Sequence, residues 1–209
     1  MARNRRSYWQ RRATRHLQLA GASVVLTAGL FLLLPGKDPI HDVSLASAYV
    51  ALVLLGASLV IGPWNVLRRR PNPVSSDLRR DVGIWAGIVG LFHFAIGLNV
   101  HLRGRPWLYF VYPADQPHAL PVRHDLFGFA NFTGFAAGLI LALLLVLSND
   151  RSLARLGTRR WKAFQRFNYY ATALVVAHGI AYQFIEGRIH LPFLLVTFAV
   201  VVLAVAVLQ

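Results

Sequence analysis

Six long apolar runs, each bounded by polar or basic residues, divide the chain at about 17–34, 43–67, 82–102, 126–148, 168–187 and 191–208. At about 1.5 Å per helical residue, each run covers a hydrocarbon core of about 30 Å, the first with little to spare. The pattern predicts an all-α integral membrane protein: a bundle of six transmembrane helices over 17–209, preceded by a basic tail at 1–16. The first run ends at Pro35-Gly36 with no small-residue cleavage motif, so it reads as a span and not as a cleaved leader.

Two of the runs carry a histidine near the middle. In the third, DVGIWAGIVGLFHFAIGLNVHLR from Asp81 to Arg103, residues Gly83, Gly87, Gly90, His93, Gly97 and His101 share one helical face, within an arc of about 120°. Glycine removes side-chain volume, so a second helix or a flat ligand can lie against that face. The fourth run has a small-residue stripe, Gly128, Asn131, Gly134 and Gly138, and Asn131 is expected to bond a neighbouring helix or a bound group. The fifth, NYYATALVVAHGIAYQFIEG, carries His178. His41 falls in the short turn after the first run and is expected to be a solvated loop residue. The connection from Arg103 to Asp125 has four aromatics, Trp107, Tyr109, Phe110 and Tyr112, and reads as an interfacial segment or as a lid.

Composition narrows the chemistry. Of 209 residues 56% are hydrophobic and 14% charged, outside the range of soluble domains. There is no cysteine, which excludes disulfides, Cys-ligated iron–sulfur clusters and thiol catalysis. A net charge of +14 would point to nucleic acid in a soluble chain. Here most of the basic residues lie in the N-terminal tail and in the 68–81 and 149–167 connections. A six-span topology puts those three segments on one side, which is the cytoplasm, and both termini with them. Lipid headgroups account for the charge, and no nucleic-acid partner is implied. No Asp, Glu, Lys or Arg falls inside a run, so histidine alone is both ionisable and deep.

His93 and His178 lie at similar depths, roughly 18 and 16 Å along two helices that run in the same direction. Two imidazoles at equal depth are what a six-coordinate b-type haem needs, with Gly90 and Gly97 leaving room for the ring and Arg103, Arg105 and Arg188 near the outer helix ends for its propionates. The expected cofactor is one haem b. His101 and His190 form a candidate second, outer site, too far along their helices to share one metal ion with the deep pair. A proton-coupled transporter would lack its usual intramembrane carboxylate.

The stretches LRRDVGIWAGIVGLFHF (78–94) and LSNDRSLARLGTRRWKAFQRFNYYATALVVAH (147–178) resemble the ferric reductase-like transmembrane domain family. Within it, they are most similar to the haem-binding membrane subunit of the bacterial periplasmic methionine sulfoxide reductase system. The resemblance implies His93 and His178 as axial ligands of a haem nearer the outer face, and a multi-pass protein of the bacterial cytoplasmic membrane. The family commonly holds a second, inner haem ligated earlier on the same helices. Here those places hold Arg79 or Arg80 and Gln165, a departure that argues against an inner haem.

The expected function is a membrane b-type cytochrome that passes electrons through a bis-histidine haem to a redox partner, with quinol or a flavoprotein as donor, since no flavin domain is visible in the sequence. The rival is a non-catalytic membrane subunit that packs against a larger redox or energy-converting complex.

Overall fold

A computed structural model describes residues 2–34, 36, 38–70, 77–102, 104–116, 118–188 and 192–208, with side chains from Tyr8 onward. Among them are seven α-helices: α1 (Ala2–Leu33), α2 (Pro39–Leu67), α3 (Asp77–Gly97), α4 (Leu126–Leu147), α5 (Asp150–Gln165), α6 (Phe167–Ile185) and α7 (Pro192–Leu208). A short 3-10 helix (Pro106–Tyr109) and a single antiparallel bridge between Val111 and Val122 shape the connection from α3 to α4.

Local chemistry starts each helix. Pro39 stands at the first turn of α2, where its missing N–H costs nothing, and the Asp38 side chain accepts from Ile40 N at 3.0 Å. Asp125 accepts from Gly128 N at 2.7 Å to cap α4, and Asn149 accepts from Ser152 N at 2.8 Å to cap α5.

Among the described residues, three helices are long and apolar enough to cross a membrane, Tyr8–Leu33, Pro39–Leu67 and Leu126–Leu147, and α7 is a shorter apolar helix. Their outward side chains are the wrong kind for water, with Leu32 and Val207 each 80% exposed and Leu17, Val24, Val25 and Val146 exposed beside them. The chain is a multi-pass membrane protein. Helices α3 and α6 fall short of the same mark because they carry the histidines, together with charged or polar residues at their starts.

The bundle is built from two intimate pairs, α2 with α3 and α4 with α6, joined by α3 against α4; α1 and α7 pack on α2 from outside. Close approach of α2 and α3 follows from small residues that face one another, Gly83 near Ser58, Gly90 near Ala51 and Gly97 near Ser44. A satellite core of Leu34, Leu45, Ala46, Tyr49 and Leu194 holds α7 to α2.

Two segments differ from the reading of the sequence. The 149–167 connection is mostly helical, forming α5, an amphipathic helix with no buried residue that bends where Gly157 adopts φ 70°. Its basic composition hides the Leu153, Leu156, Trp161 and Phe164 spacing that makes the helix. The third run stops being helical at Gly97 and does not extend to 102, because the chain turns through Asn99 N to Ile96 O (2.9 Å) and Val100 N to Gly97 O (3.1 Å). His101 is therefore not on the α3 face.

Candidate functional site

Between the two helix pairs lies a cavity that is open at one end. The cavity runs from His41, His101 and Arg188 at the mouth to Leu55, Ala86 and Leu141 at its floor. Tyr109 and Phe110, from the connection between α3 and α4, form part of the wall near the mouth. That connection is split in exposure: Trp107 is 57% exposed while Tyr109 is 2%.

His93 and His178 face one another in the middle, ring centroids 6.2 Å apart and ring planes at 70°. Each is held by a backbone carbonyl of the helix beside it. His93 Nδ1–H donates to Ser44 O at 2.9 Å, with Ser44 Oγ also 3.2 Å away, and His178 Nδ1–H donates to Ala130 O at 2.7 Å. A carbonyl only accepts, so in each neutral ring the lone pair sits on Nε2. That is how a metal-ligating histidine is set up by its surroundings.

Gly90 and Gly97 line the cavity, whereas Gly83 and Gly87 are used in helix packing, Gly87 against Leu145 and Leu141. Gly134 is tighter than either: a Cβ there would lie 2.6 Å from His178 Nδ1. Asn131 lines the cavity, accepts from Tyr182 Oη at 2.9 Å and donates to Phe127 O at 2.8 Å.

The three arginines divide. Arg188 lies at the cavity mouth with its Nε buried and without an acceptor; Arg105 is exposed away from the lining; Arg103 lies outside the described residues. Of the second histidine pair, His190 is also outside them. His101 stacks on Tyr182 with centroids 6.0 Å apart, and its Nε2 is 3.1 Å from Glu186 Oε1.

His41 is not a solvated loop residue. The first turn of α2 carries it to the cavity mouth, where Nε2 is 3.7 Å from Glu186 Oε2 and Nδ1 is 3.1 Å from Asp42 Oδ1. Ser44, Ala130, Tyr182 and Glu186 thus join the site unannounced by sequence, while Gly134, expected as part of a small-residue packing stripe, lies against His178. Only Tyr182, four residues beyond His178 and hence on its face, had a legible signal. No group of three or more metal-ligating side chains is gathered among the described residues.

At the opposite, basic end of the bundle the helix starts are tied together by ion pairs. Asp81 is fully buried and receives Arg12 and Arg15, each at 2.7 Å, with His16 Nε2 at 3.4 Å. Trp85 Nε1 donates to His16 Nδ1 at 3.1 Å. Arg79 donates to Ser58 O at 3.1 Å, and Arg80 donates to Ser148 O and to Asp150 Oδ1.

No family model matches the chain. It is similar to the protein-methionine-sulfoxide reductase heme-binding subunit MsrQ of Deinococcus radiodurans, with 28% identity over 145 residues. The match takes in 68% of this chain and 63% of that protein's length.

Proposed function

We propose that the chain is a membrane b-type cytochrome: a bis-histidine haem carried between His93 and His178 passes electrons to a redox partner protein. The observation that carries this reading is the facing pair in a largely apolar cavity, each Nδ1–H spent on a backbone carbonyl and each Nε2 left with its lone pair. Similarity to a heme-binding subunit points the same way.

A haem there supplies one-electron chemistry. The chain's own residues orient, enclose and balance charge. Ser44 and Ala130 fix the two imidazoles. Leu52, Leu55, Leu141 and Val175 make an apolar wall that excludes water. Arg188, with a buried Nε lacking an acceptor, is the cation available to a propionate. Asn131 holds Tyr182 beside His178.

In this reading six helices span the bacterial cytoplasmic membrane, α1 to α4, α6 and α7, with the basic end and both termini on the cytoplasmic side. The two histidines among the polar residues that lower the hydropathy of α3 and α6 are then turned toward the cofactor. One haem per chain is the expected count, because Arg79 and Arg80, at the place an inner ligand would take, are engaged with Ser58, Ser148 and Asp150. The donor is of the quinol or reduced-flavin class.

The test is the absorption spectrum of purified protein, oxidised and dithionite-reduced, with a haem-to-protein ratio. A low-spin b-type spectrum at about one haem per chain, lost in His93→Ala and in His178→Ala, is the expected result. Folded protein without haem, made under ample haem supply, would leave a non-catalytic membrane subunit as the better account.

A further inference from the structure

The mouth of the cavity holds a row of ionisable groups that haem ligation does not use. Asp42, His41, Glu186 and His101 touch in sequence, contributed by the start of α2, the turn after α6 and the turn after α3. The other charged or titratable groups facing the row are Arg188 and Tyr182 from the α6 side, Tyr49 from α2 and Tyr109 from the 3-10 segment.

His41 is the member whose neutral form would lack a donor. Its Nδ1 faces Asp42 Oδ1, which only accepts, so Nδ1 carries a hydrogen. In the neutral ring, Nε2 is then a lone pair aimed at Glu186 Oε2 3.7 Å away: two acceptors facing each other. His41 Nε2 and Asp42 Oδ2 are both buried without a hydrogen-bond partner. A proton on Nε2 supplies the missing donor and puts a cation between two carboxylates. The imidazole is 28% and Glu186 22% exposed, so the proton has a path to outer water. Hydrogen bonding, from His101 first and His41 second, holds the Glu186 carboxyl well below the usual carboxylate range, so the carboxylate is charged and waiting.

The row also reaches the redox site. His101 stacks on Tyr182, and Tyr182 lies 4.8 Å from His178 by ring centroids. An electron added between His93 and His178 places negative charge in a low-dielectric cavity, and a proton taken up at the mouth offsets it.

We propose that His41, set between Asp42 and Glu186, is a proton-loading site coupled to reduction of the haem; this rests on the cytochrome reading above. A haem held by His93 and His178 would take one electron from a quinol or reduced-flavin donor. One proton passes from outer water to His41 Nε2, and both leave on reoxidation.

The experiment is the midpoint potential of the haem-loaded protein from pH 5.5 to 8.5, with the low-spin spectrum recorded at each step. The wild-type potential is expected to fall with rising pH, approaching a tenfold change in redox equilibrium per pH unit, about 59 mV for one electron. His41→Gln should cut that slope by at least half with the spectrum intact. Glu186→Gln, which removes the facing carboxylate and leaves the imidazole, should move the sloping region to lower pH. A wild-type potential independent of pH with a normal spectrum overturns the relay alone, as does an unchanged slope in both variants. Protein that binds no haem overturns the cytochrome reading and the relay with it.

Discussion

Gly134 on α4 lies so close to His178 on α6 that a Cβ at position 134 would stand 2.6 Å from Nδ1 and 2.8 Å from Cε1 of the imidazole. The ring cannot retreat freely, because the same Nδ1 is bound to Ala130 O, one helical turn away on α4. The glycine therefore sets the rotamer of the histidine.

Gly134→Ala should cost about 1–3 kcal/mol by overpacking and turn His178 away from Ala130. The expected outcome is a haem-to-protein ratio well below that of the wild type, or a shifted low-spin spectrum, with Gly134→Val losing haem altogether. Gly21→Ala is the control, since a Cβ there meets nothing within 4 Å, and should leave both stoichiometry and spectrum unchanged.

Tyr109 pins the aromatic connection over the cavity. Its hydroxyl donates to Gly97 O at 3.0 Å and accepts from His101 N at 2.9 Å, so one side chain satisfies the end of α3 and the turn beyond it. Tyr109→Phe strands His101 N–H and leaves Gly97 O with Val100 N alone, at a cost of about 1–3 kcal/mol. The expected result is a lower melting temperature in detergent and faster limited proteolysis within 104–125, with the haem spectrum retained because neither His93 nor His178 touches the hydroxyl.

The facing histidines were legible because an ionisable residue inside an apolar run is rare and two at one depth are rarer. The rest of the site was less so, for definite reasons. His41, His101 and Glu186 belong to three separate chain ends, and nothing local in sequence predicts that they meet. Ser44 and Ala130 act through backbone carbonyls, which carry no residue-type signal. The bundle was legible as apolar runs, yet α3 and α6 are less apolar than their partners because they carry the facing histidines and polar or charged residues at their starts. Helix α5 was hidden by its arginines, and the end of α3 by an apolar run that continues past Gly97.

Asp81 is fully buried and bound to two guanidinium groups, and the Arg12 side chain is only 9% exposed. Removing the carboxylate would leave buried cations unpaired, a loss of about 3–5 kcal/mol. Asp81→Asn should therefore lower the melting temperature sharply, and Arg12→Gln, which leaves Arg15 and His16 on the carboxylate, should lower it less. Equal losses in the two variants, measured by thermal unfolding in one detergent, would show that the network acts as an inseparable unit.

Arg80 and Asp150 tie the start of α3 to the start of α5 at 2.7 Å on the exposed basic surface. Hydrogen bonding to Arg80 holds the Asp150 carboxyl below its ordinary range. A depressed carboxylate contributes stability above its unfolded pKa of about 3.9 and loses it as pH falls through the folded value. Asp150 is 58% exposed, so water and salt screen the pair to a few tenths of a kcal/mol. Arg80→Gln should accordingly melt slightly below the wild type at pH 7 in low salt. The part of that gap due to the ion pair should shrink as pH falls below about 4 and also in molar salt. A gap that persists unchanged at low pH would assign the effect to the bonds from Arg80 to Ser148 O, which do not titrate.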